Sequence, residues 1–173
     1  DLNCFSGICH QMMCQEGYAA PGLVMVGTDS HTCTYGAMGA FATGIGRSEM
    51  AAVWALGSIW LKVPETIRIT VEGAFPKGVY AKDLILRIIG DLRADGANYM
   101  SVEFHGSGIS AMSVAERMTL CNMGVEMGAK NAVCRTDEKT RAVLAGKVTS
   151  SRAEELWADE GASYAREVFY YLA

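Results

Sequence analysis

Gly22-Leu-Val-Met-Val-Gly27 is a short apolar run that follows a Pro-Gly turn signal, and this stretch decides the fold prediction. Such a run is typical of a buried strand in a parallel sheet. The polar residues Thr28-Asp-Ser-His-Thr32 follow directly, so they are predicted at the carboxyl end of the strand. Because ligands collect at this edge of open α/β sheets, we expect the polar cluster to form part of a site.

The segment after the cluster is rich in glycine between Gly36 and Gly46, and it leads into a predicted helix, Met50 to Leu61. Its spacing does not match the Gly-x-Gly-x-x-Gly fingerprint of dinucleotide-binding proteins. Close packing of a helix on a strand and a turn that holds an anion explain the glycines equally well.

The second half of the chain has strand and helix patterns of its own. Apolar and polar residues alternate from Ile67 to Val71, which predicts a half-buried strand, and Ala81 to Leu92 is predicted as an amphipathic helix. We place a domain boundary near Val63, so that residues 1–63 form part of a first α/β domain and residues 64–173 a second, incomplete one. The predicted fold class is therefore α/β, built from layered domains.

Two capping boxes mark helix starts in this second part. Ser113-Val-Ala-Glu116 predicts a helix that carries Asn122 and Glu126 on one face, since these lie four residues apart. Ser151-Arg-Ala-Glu154 predicts a last helical segment, which reaches Tyr170-Tyr-Leu-Ala173 without a Gly or Pro stop. Because the chain also begins without Met, we expect it to be an internal piece of a longer protein.

Composition limits the classes of function. The net charge is −4 and the basic residues are scattered, so a nucleic-acid partner is not expected. No apolar run approaches the roughly 20 residues that span a bilayer, which favours a soluble, cytoplasmic protein without a membrane partner. Most of the six cysteines are predicted to be reduced thiols, because they form no Cys-x-x-Cys pair and match no common ligand spacing.

Asp29, Ser30 and His31 are the strongest candidates for a functional role. Three polar groups at the end of a buried strand lose hydration unless they pair with one another or with a ligand. An Asp can hold an imidazole in one tautomer and raise its proton affinity, as a proton shuttle requires. His10 is equally consistent with a packed residue and a functional one, and His105 is the weaker candidate.

Asn122 and Glu126 form a polar pair on an otherwise apolar helix. They fit a solvated face, and equally an amide and a carboxylate aimed into a cleft to hold water or a metal-bound oxygen. The residues alone leave both interpretations open.

A resemblance to the aconitase superfamily is carried by one long block, Gly27-Thr-Asp-Ser-His-Thr-Cys-Thr-Tyr-Gly-Ala-Met-Gly-Ala-Phe-Ala-Thr-Gly-Ile-Gly46. Within the superfamily, this block is most similar to the 3-isopropylmalate dehydratase and homoaconitase large subunits. Further blocks keep their order and cover most of residues 9 to 137: Cys9-His-Gln-Met12, Lys62-Val-Pro-Glu-Thr-Ile67, Ala81-Lys-Asp-Leu-Ile-Leu86, Val102-Glu-Phe-His-Gly106 and Arg117-Met-Thr-Leu-Cys-Asn-Met-Gly-Val-Glu-Met-Gly-Ala-Lys130.

The resemblance implies a hydro-lyase that interconverts 2- and 3-isopropylmalate by dehydration and rehydration at a [4Fe–4S] cluster, a step of leucine biosynthesis. One iron of such a cluster has no cysteine ligand and acts as a Lewis acid on the hydroxy acid. Homoaconitase, dimethylmalate dehydratase and aconitase are alternatives within the class. A non-catalytic assembly or binding module is the alternative outside it.

The resemblance also implies roles for individual residues. Those implied to be catalytic are His10, Asp29, His31 and Glu126, and those implied to contact substrate are Ser30 and Asn122. The three cluster cysteines of the family have no counterpart among the six here, so the ligands are expected outside this chain. A cluster-bearing remainder and a small swivel-domain subunit are the expected partners, and the chain is not expected to be active alone.

Overall fold

The computed structural model describes residues 7–147 and 156–172. The helices are α1 (Cys9–Gln15), α2 (Arg47–Leu56), α3 (Ala81–Leu92), α4 (Ser107–Ala111), α5 (Val114–Asn122) and α6 (Glu138–Leu144). The strands are β1 (Val24–Gly27), β2 (Phe41–Gly44), β3 (Thr66–Gly73), β4 (Ser101–His105), β5 (Asn131–Cys134) and β6 (Arg166–Leu172). Ser30–Met38 and Met123–Met127 are 3₁₀ helices, called the first and second 3₁₀ helix below. Among the described residues, every helix is too short or too polar to cross a membrane.

The strands form a two-stranded sheet, β1-β2, and a four-stranded sheet with the order β5-β4-β3-β6. The strand pairs of the described residues are all parallel. Parallel neighbours need crossover connections, and α3 provides the one between β3 and β4. This architecture confirms the predicted α/β class, and β1 and β3 occupy the two stretches predicted as strands.

The larger apolar core lies between the four-stranded sheet and α3. Ile67, Ile69 and Val71 of β3 are fully buried, as the alternation in the sequence predicts. Ile85 and Ile88, from the apolar face of α3, belong to the same cluster. Burying one such side chain contributes about 1.5 to 3 kcal/mol, so this face holds α3 on the sheet.

The first 3₁₀ helix packs into both apolar cores. Residues Thr32 to Met38 are buried. Ala37 belongs to the core of the four-stranded sheet, while Tyr35 belongs to a second core that includes Val114. Residues on both sides of Val63 therefore pack together, and the division into two domains stays a prediction.

Gly36 allows the first 3₁₀ helix to approach β5 closely. A Cβ on Gly36 would lie 1.7 Å from the backbone oxygen of Ala132 in β5, far inside van der Waals contact. Only glycine fits there, because the two backbones touch without an intervening side chain. Of the two explanations for the glycine-rich segment, close packing of a helix on a strand accounts for this residue.

The end of the described chain is a strand, and the prediction of a helical last segment is wrong. β6 pairs in parallel with β3 along its length. Val168, Tyr170 and Leu172 are partly buried and alternate with exposed residues, which is the period of two of a strand. A missing Gly or Pro stop does not distinguish a helix from a strand, whereas this alternation does. The capping box Ser151–Glu154 lies outside the described residues.

The boundaries of two other helices also differ from the predicted ones. α2 lies earlier in the chain than the predicted segment Met50 to Leu61, because Gly57 adopts a left-handed φ of 69° and ends the helix. α5 begins at its predicted capping box, in which Ser113 and Glu116 bond each other's backbone N–H groups. It ends as an α-helix at Asn122 and continues as the second 3₁₀ helix.

Candidate acid–base site

Asp29 lies at the carboxyl end of β1, where the sequence predicts the polar cluster. Its side chain caps the first 3₁₀ helix, because Oδ1 accepts the backbone N–H of His31 at 2.7 Å. Its own backbone oxygen accepts the hydroxyl of Thr32 at 2.7 Å. The carboxylate is thus held in one position by the local fold.

His10 reaches the same carboxylate from α1. Its Nε2 lies 2.9 Å from Oδ1 of Asp29, and its Nδ1 lies 3.3 Å from the hydroxyl of Tyr35. A carboxylate only accepts hydrogen bonds, so Nε2 carries the proton of this contact. Burial raises the pKa of Tyr35, so its hydroxyl stays protonated and donates to Nδ1. His10 is therefore held at both nitrogens, and its side chain is 15% exposed.

His31 lies between two carboxylates. Its Nδ1 is 3.4 Å from Oδ1 of Asp29 and 3.3 Å from the hydroxyl of Ser30. On the other side of the ring, Nε2 is 3.4 Å from Oε1 of Glu126 in the second 3₁₀ helix. The rings of His10 and His31 are 6.4 Å apart, centre to centre. Each ring nitrogen of His31 thus faces an acidic group.

The charge of Asp29 is stabilised by its neighbours. The backbone N–H of His31, and after it the ring of His10, hold the pKa of Asp29 below its usual value. Asp29 is therefore ionised at neutral pH. Its side chain is 56% exposed and that of Glu126 is 53% exposed, so both carboxylates of the site are open to solvent.

Asn122 lies next to this cluster and reaches it through Thr34. The amide of Asn122 donates to the Thr34 hydroxyl at 2.9 Å, and that hydroxyl donates to the backbone oxygen of His31 at 2.6 Å. The thiol of Cys33 contacts the backbone oxygen of Asn122 at 3.5 Å. Asn122 thus supports the position of His31 without touching its ring.

A cavity of about 320 Å³ opens beside Ser30. Lys130 and Glu49 also line it, so both signs of charge are present at its wall. Its volume lies at the lower end of the range of small-molecule sites, about 300 to 1,000 Å³. The cavity has room for a small molecule next to the histidine cluster.

The structure brings five of the six predicted site residues into direct contact, and it joins the sixth through another side chain. Contacts within a single cluster join His10, Asp29, Ser30, His31 and Glu126. The sixth residue is Asn122, which is joined to the cluster through the hydroxyl group of Thr34. His105 lies elsewhere, against Glu103 and Trp157. The roles of the six residues stay a prediction.

Sequence reasoning missed Tyr35 and Thr34. Both lie inside the long block that carries the family resemblance, and both are buried. A buried tyrosine hydroxyl needs a hydrogen-bond partner. A sequence in which Tyr35 is predicted to be buried therefore indicates that its hydroxyl contacts another polar group. The partner itself, His10, comes from another helix and cannot be deduced from local pattern.

The described cysteines do not form a metal centre. Cys14, Cys33 and Cys121 are buried, and desolvation raises their pKa, for Cys14 to about 12 and for Cys33 to about 11. Thiolates are the metal-binding form, so these thiols are poorly suited as ligands. Within residues 7–147 and 156–172, no three His, Cys, Asp or Glu side chains converge as metal ligands. The described residues therefore do not fit a site that itself holds an iron–sulfur cluster.

The family model of the aconitase family (aconitate hydratase) matches residues 1–172. Because this match covers nearly the whole sequence, the chain belongs to the aconitase family. The resemblance stated from the sequence blocks is thereby confirmed.

Curated relatives of this chain include large subunits of two kinds. The probable methanogen homoaconitase large subunit of Methanosarcina mazei is 52% identical over 95% of this chain and 42% of its own length. The 3-isopropylmalate dehydratase large subunit of Elusimicrobium minutum is 54% identical over 94% of this chain and 38% of its own length. The 3-isopropylmalate dehydratase large subunit 1 of Methanopyrus kandleri is 56% identical over 78% of this chain and 32% of its own length. This chain thus spans between 32% and 42% of the length of these relatives.

Proposed function

We propose that this chain supplies the acid–base residues of a hydro-lyase that interconverts 2- and 3-isopropylmalate. The observation that supports this most is the position of His31, with a carboxylate at each ring nitrogen and His10 on the shared Asp29. The names of the similar large subunits, 3-isopropylmalate dehydratase among them, agree with the proposal.

Dehydration of a hydroxy acid needs proton transfer at two places. A proton leaves the carbon next to the hydroxyl-bearing carbon, and the departing hydroxyl group takes up a proton. Asp29 keeps the proton of His10 on Nε2, and its Oδ1 lies 3.4 Å from Nδ1 of His31. When protonated, His31 can give a proton from one ring nitrogen to the departing hydroxyl group, which leaves as water, and the neutral ring can take a proton back from water on rehydration. Asp29 and Glu126 lie beside its two nitrogens.

We assign the substrate contacts to Ser30 and Asn122. Ser30 lines the cavity of about 320 Å³ and its hydroxyl contacts Nδ1 of His31, so this hydroxyl can donate to a substrate carboxylate. Asn122 holds His31 through Thr34, so it can orient the proton-transferring ring as well.

The proposal includes groups that the described residues do not provide. A [4Fe–4S] cluster, with thiolate ligands outside the described residues, would supply Lewis-acid chemistry to the site when bound. The large-subunit names of the relatives support a small-subunit partner for the complete protein. We further propose that the protein works in the cytoplasm.

Homoaconitase activity is the first alternative, because a similar large subunit of Methanosarcina mazei carries that name. Dimethylmalate dehydratase and aconitase follow within the same class. These activities differ in the substrate side chain, so a panel of hydroxy diacids with isopropyl, carboxyalkyl and methyl side chains separates them by kcat/KM.

The decisive experiment compares the complete protein with this chain alone. Both are reconstituted anaerobically with iron and sulfide, and iron retention and hydration of an isopropyl-substituted alkene diacid are measured. We expect the complete protein, with its small subunit, to retain iron and turn over, and this chain alone to do neither. A complete protein that retains its iron but hydrates none of the diacids would contradict the proposal and favour a non-catalytic assembly module. Turnover by this chain alone would contradict the placement of the ligands elsewhere.

A further inference from the structure

Lys130 lies at the wall of the cavity of about 320 Å³, next to the acid–base site. It comes after the second 3₁₀ helix and directly before β5. Its backbone N–H donates to the backbone oxygen of Met100 at 2.8 Å, which fixes the start of its side chain. The segment that carries Glu126 to His31 therefore also carries Lys130 to the cavity.

The ammonium group of Lys130 is placed beside the end of β2. Its Nζ lies 3.5 Å from the backbone oxygen of Gly44. Gly44 in turn packs against Ser30, because a Cβ built on this glycine would lie 3.0 Å from the Cα of Ser30. Since Ser30 and Lys130 line the same cavity, one small molecule can contact both side chains.

The charge of Lys130 is offset only in part by the described residues around it. Its ammonium group lies 5.4 Å from the centre of the Tyr99 ring, which is a cation–π contact. The ion pairs within the described part of the chain do not include Lys130. An ammonium group has three N–H donors, so donors remain for a ligand in the cavity.

Glu49 is the carboxylate at the same wall, and the fold uses it as a helix cap. Its Oε2 accepts the backbone N–H of Gly46 at 2.7 Å, at the start of α2. Glu49 is exposed, whereas Lys130 is partly buried, so solvent screens the negative charge more strongly than the positive one. An anionic ligand is therefore expected on the Lys130 side of the cavity.

We propose that Lys130 binds a carboxylate of the substrate in this cavity, together with Ser30. The inference rests on the proposed function, because the substrate of that reaction is a hydroxy diacid. An ammonium group and a carboxylate form a charge-assisted hydrogen bond that is about twice as strong as one between neutral groups. Lys130 therefore favours a diacid over an analogue in which this carboxylate is replaced by a neutral amide.

The test measures the binding of a diacid that cannot be dehydrated. Isopropylsuccinate, which lacks the hydroxyl group, and its two monoamides are titrated by calorimetry into the complete protein with its small subunit. In Lys130→Gln we expect the diacid to bind about tenfold more weakly or worse, because a charge-assisted hydrogen bond is lost. One monoamide should bind the parent protein as weakly as the diacid binds the variant, and Lys130→Gln should not weaken its binding further.

Matched variants separate the charge of Lys130 from its place in the fold. Lys130→Met should lose diacid binding as Lys130→Gln does, and Lys130→Arg, which keeps the charge, should retain most of it. Lys82→Gln removes an exposed charge on α3 and should leave binding unchanged. Thermal melts establish that each variant is folded. No saturable binding of the diacid to the parent, unchanged binding in Lys130→Gln, or an equal loss for the diacid and both monoamides would overturn the proposal.

Hydration of the alkene diacid is assayed separately, so that the two proposals can fail independently. A complete protein that binds isopropylsuccinate through Lys130 but hydrates none of the diacids would contradict the proposed function and support the binding role of Lys130. Turnover by Lys130→Gln with the KM of the parent would overturn the binding role and leave the proposed function standing.

Discussion

The Nε2 atom of His10 lies 2.9 Å from Oδ1 of Asp29, although 19 positions separate the two residues in the chain. The contact joins α1 to the end of β1. The same oxygen accepts the backbone N–H of His31, so one carboxylate atom organises both histidines of the site. The chemistry proposed above depends on this shared oxygen.

Removal of the Tyr35 hydroxyl should disturb His10 without removing any charge. In Tyr35→Phe, Nδ1 of His10 loses its donor at 3.3 Å, and the unfolding free energy should fall by about 1 kcal/mol. We expect a moderate loss in kcat, with a shift in the pH dependence of kcat/KM, because the ring loses one of its two fixed contacts. Tyr18→Phe, at a more exposed tyrosine, is the control. An unchanged pH profile in Tyr35→Phe would show that this hydrogen bond does not position His10.

Ser30→Ala should separate substrate binding from proton transfer. Ser30 lines the cavity beside the site, so loss of its hydroxyl removes the donor that we propose for a substrate carboxylate. We expect KM to rise about tenfold with a smaller change in kcat, since a hydrogen bond to a charged group contributes about 1.5 to 3 kcal/mol. Ser48→Ala, on the exposed start of α2, should leave both constants unchanged. A drop in kcat at constant KM would instead assign Ser30 to the proton transfer.

Acid should destabilise the parent protein in part through Asp29. Its pKa is lowered in the folded state, so its contribution to stability is present above the unfolded value of about 3.9 and is lost as the pH falls through the folded pKa. Asp29→Asn keeps a cap for the first 3₁₀ helix but does not titrate. Denaturant unfolding from neutral pH down to about pH 3 should therefore show a smaller loss of stability in the variant. Parallel curves for the two proteins would contradict the assigned contacts of Asp29.

Gly36→Ala tests the close approach of the first 3₁₀ helix to β5. The added Cβ would meet the backbone oxygen of Ala132, and neither backbone can move without displacing the core. Overpacking of this kind costs about 1 to 3 kcal/mol or more. Gly90→Ala is the matched control, because nothing lies within 4 Å of its Cβ position on α3 and alanine favours a helix by about 0.5 to 1 kcal/mol. A Gly36→Ala protein as stable as the parent would contradict the packing described here.

Hydrophobic periodicity and capping boxes correctly predict several strands and helices of the fold. The apolar run before Gly27, the alternation in β3, the apolar face of α3 and the capping box at Ser113 all correspond to observed elements. The missing stop signal predicts a helix where β6 lies, but the period of two in its residues is typical of the strand that is observed. The local pattern does not predict the 3₁₀ form of Ser30–Met38, nor the close approach of its Gly36 to Ala132 of β5, which is distant in the sequence.

Local sequence patterns predict only some of the residues of the site. Asp29, Ser30 and His31 follow from their place after a strand, whereas His10 and Glu126 were assigned only by resemblance to a family. Their contacts with Asp29 and His31 are long-range and arise from the packing of α1 and of the second 3₁₀ helix on the first. Tyr35 and Thr34 were missed because a hydroxyl group that bonds a distant partner leaves no periodic signal.

The central claim is that Asp29 and His31 act together in proton transfer. A double-mutant cycle that measures the rate of dehydration by the complete protein tests this claim most directly. Asp29→Asn and His31→Ala should each lower kcat by about 10² to 10⁴ while iron stays bound. Because the two residues act as one unit, the double variant should be scarcely slower than the slower single variant. A rate equal to that of the parent protein in either single variant, with the iron content unchanged, would contradict the proton relay.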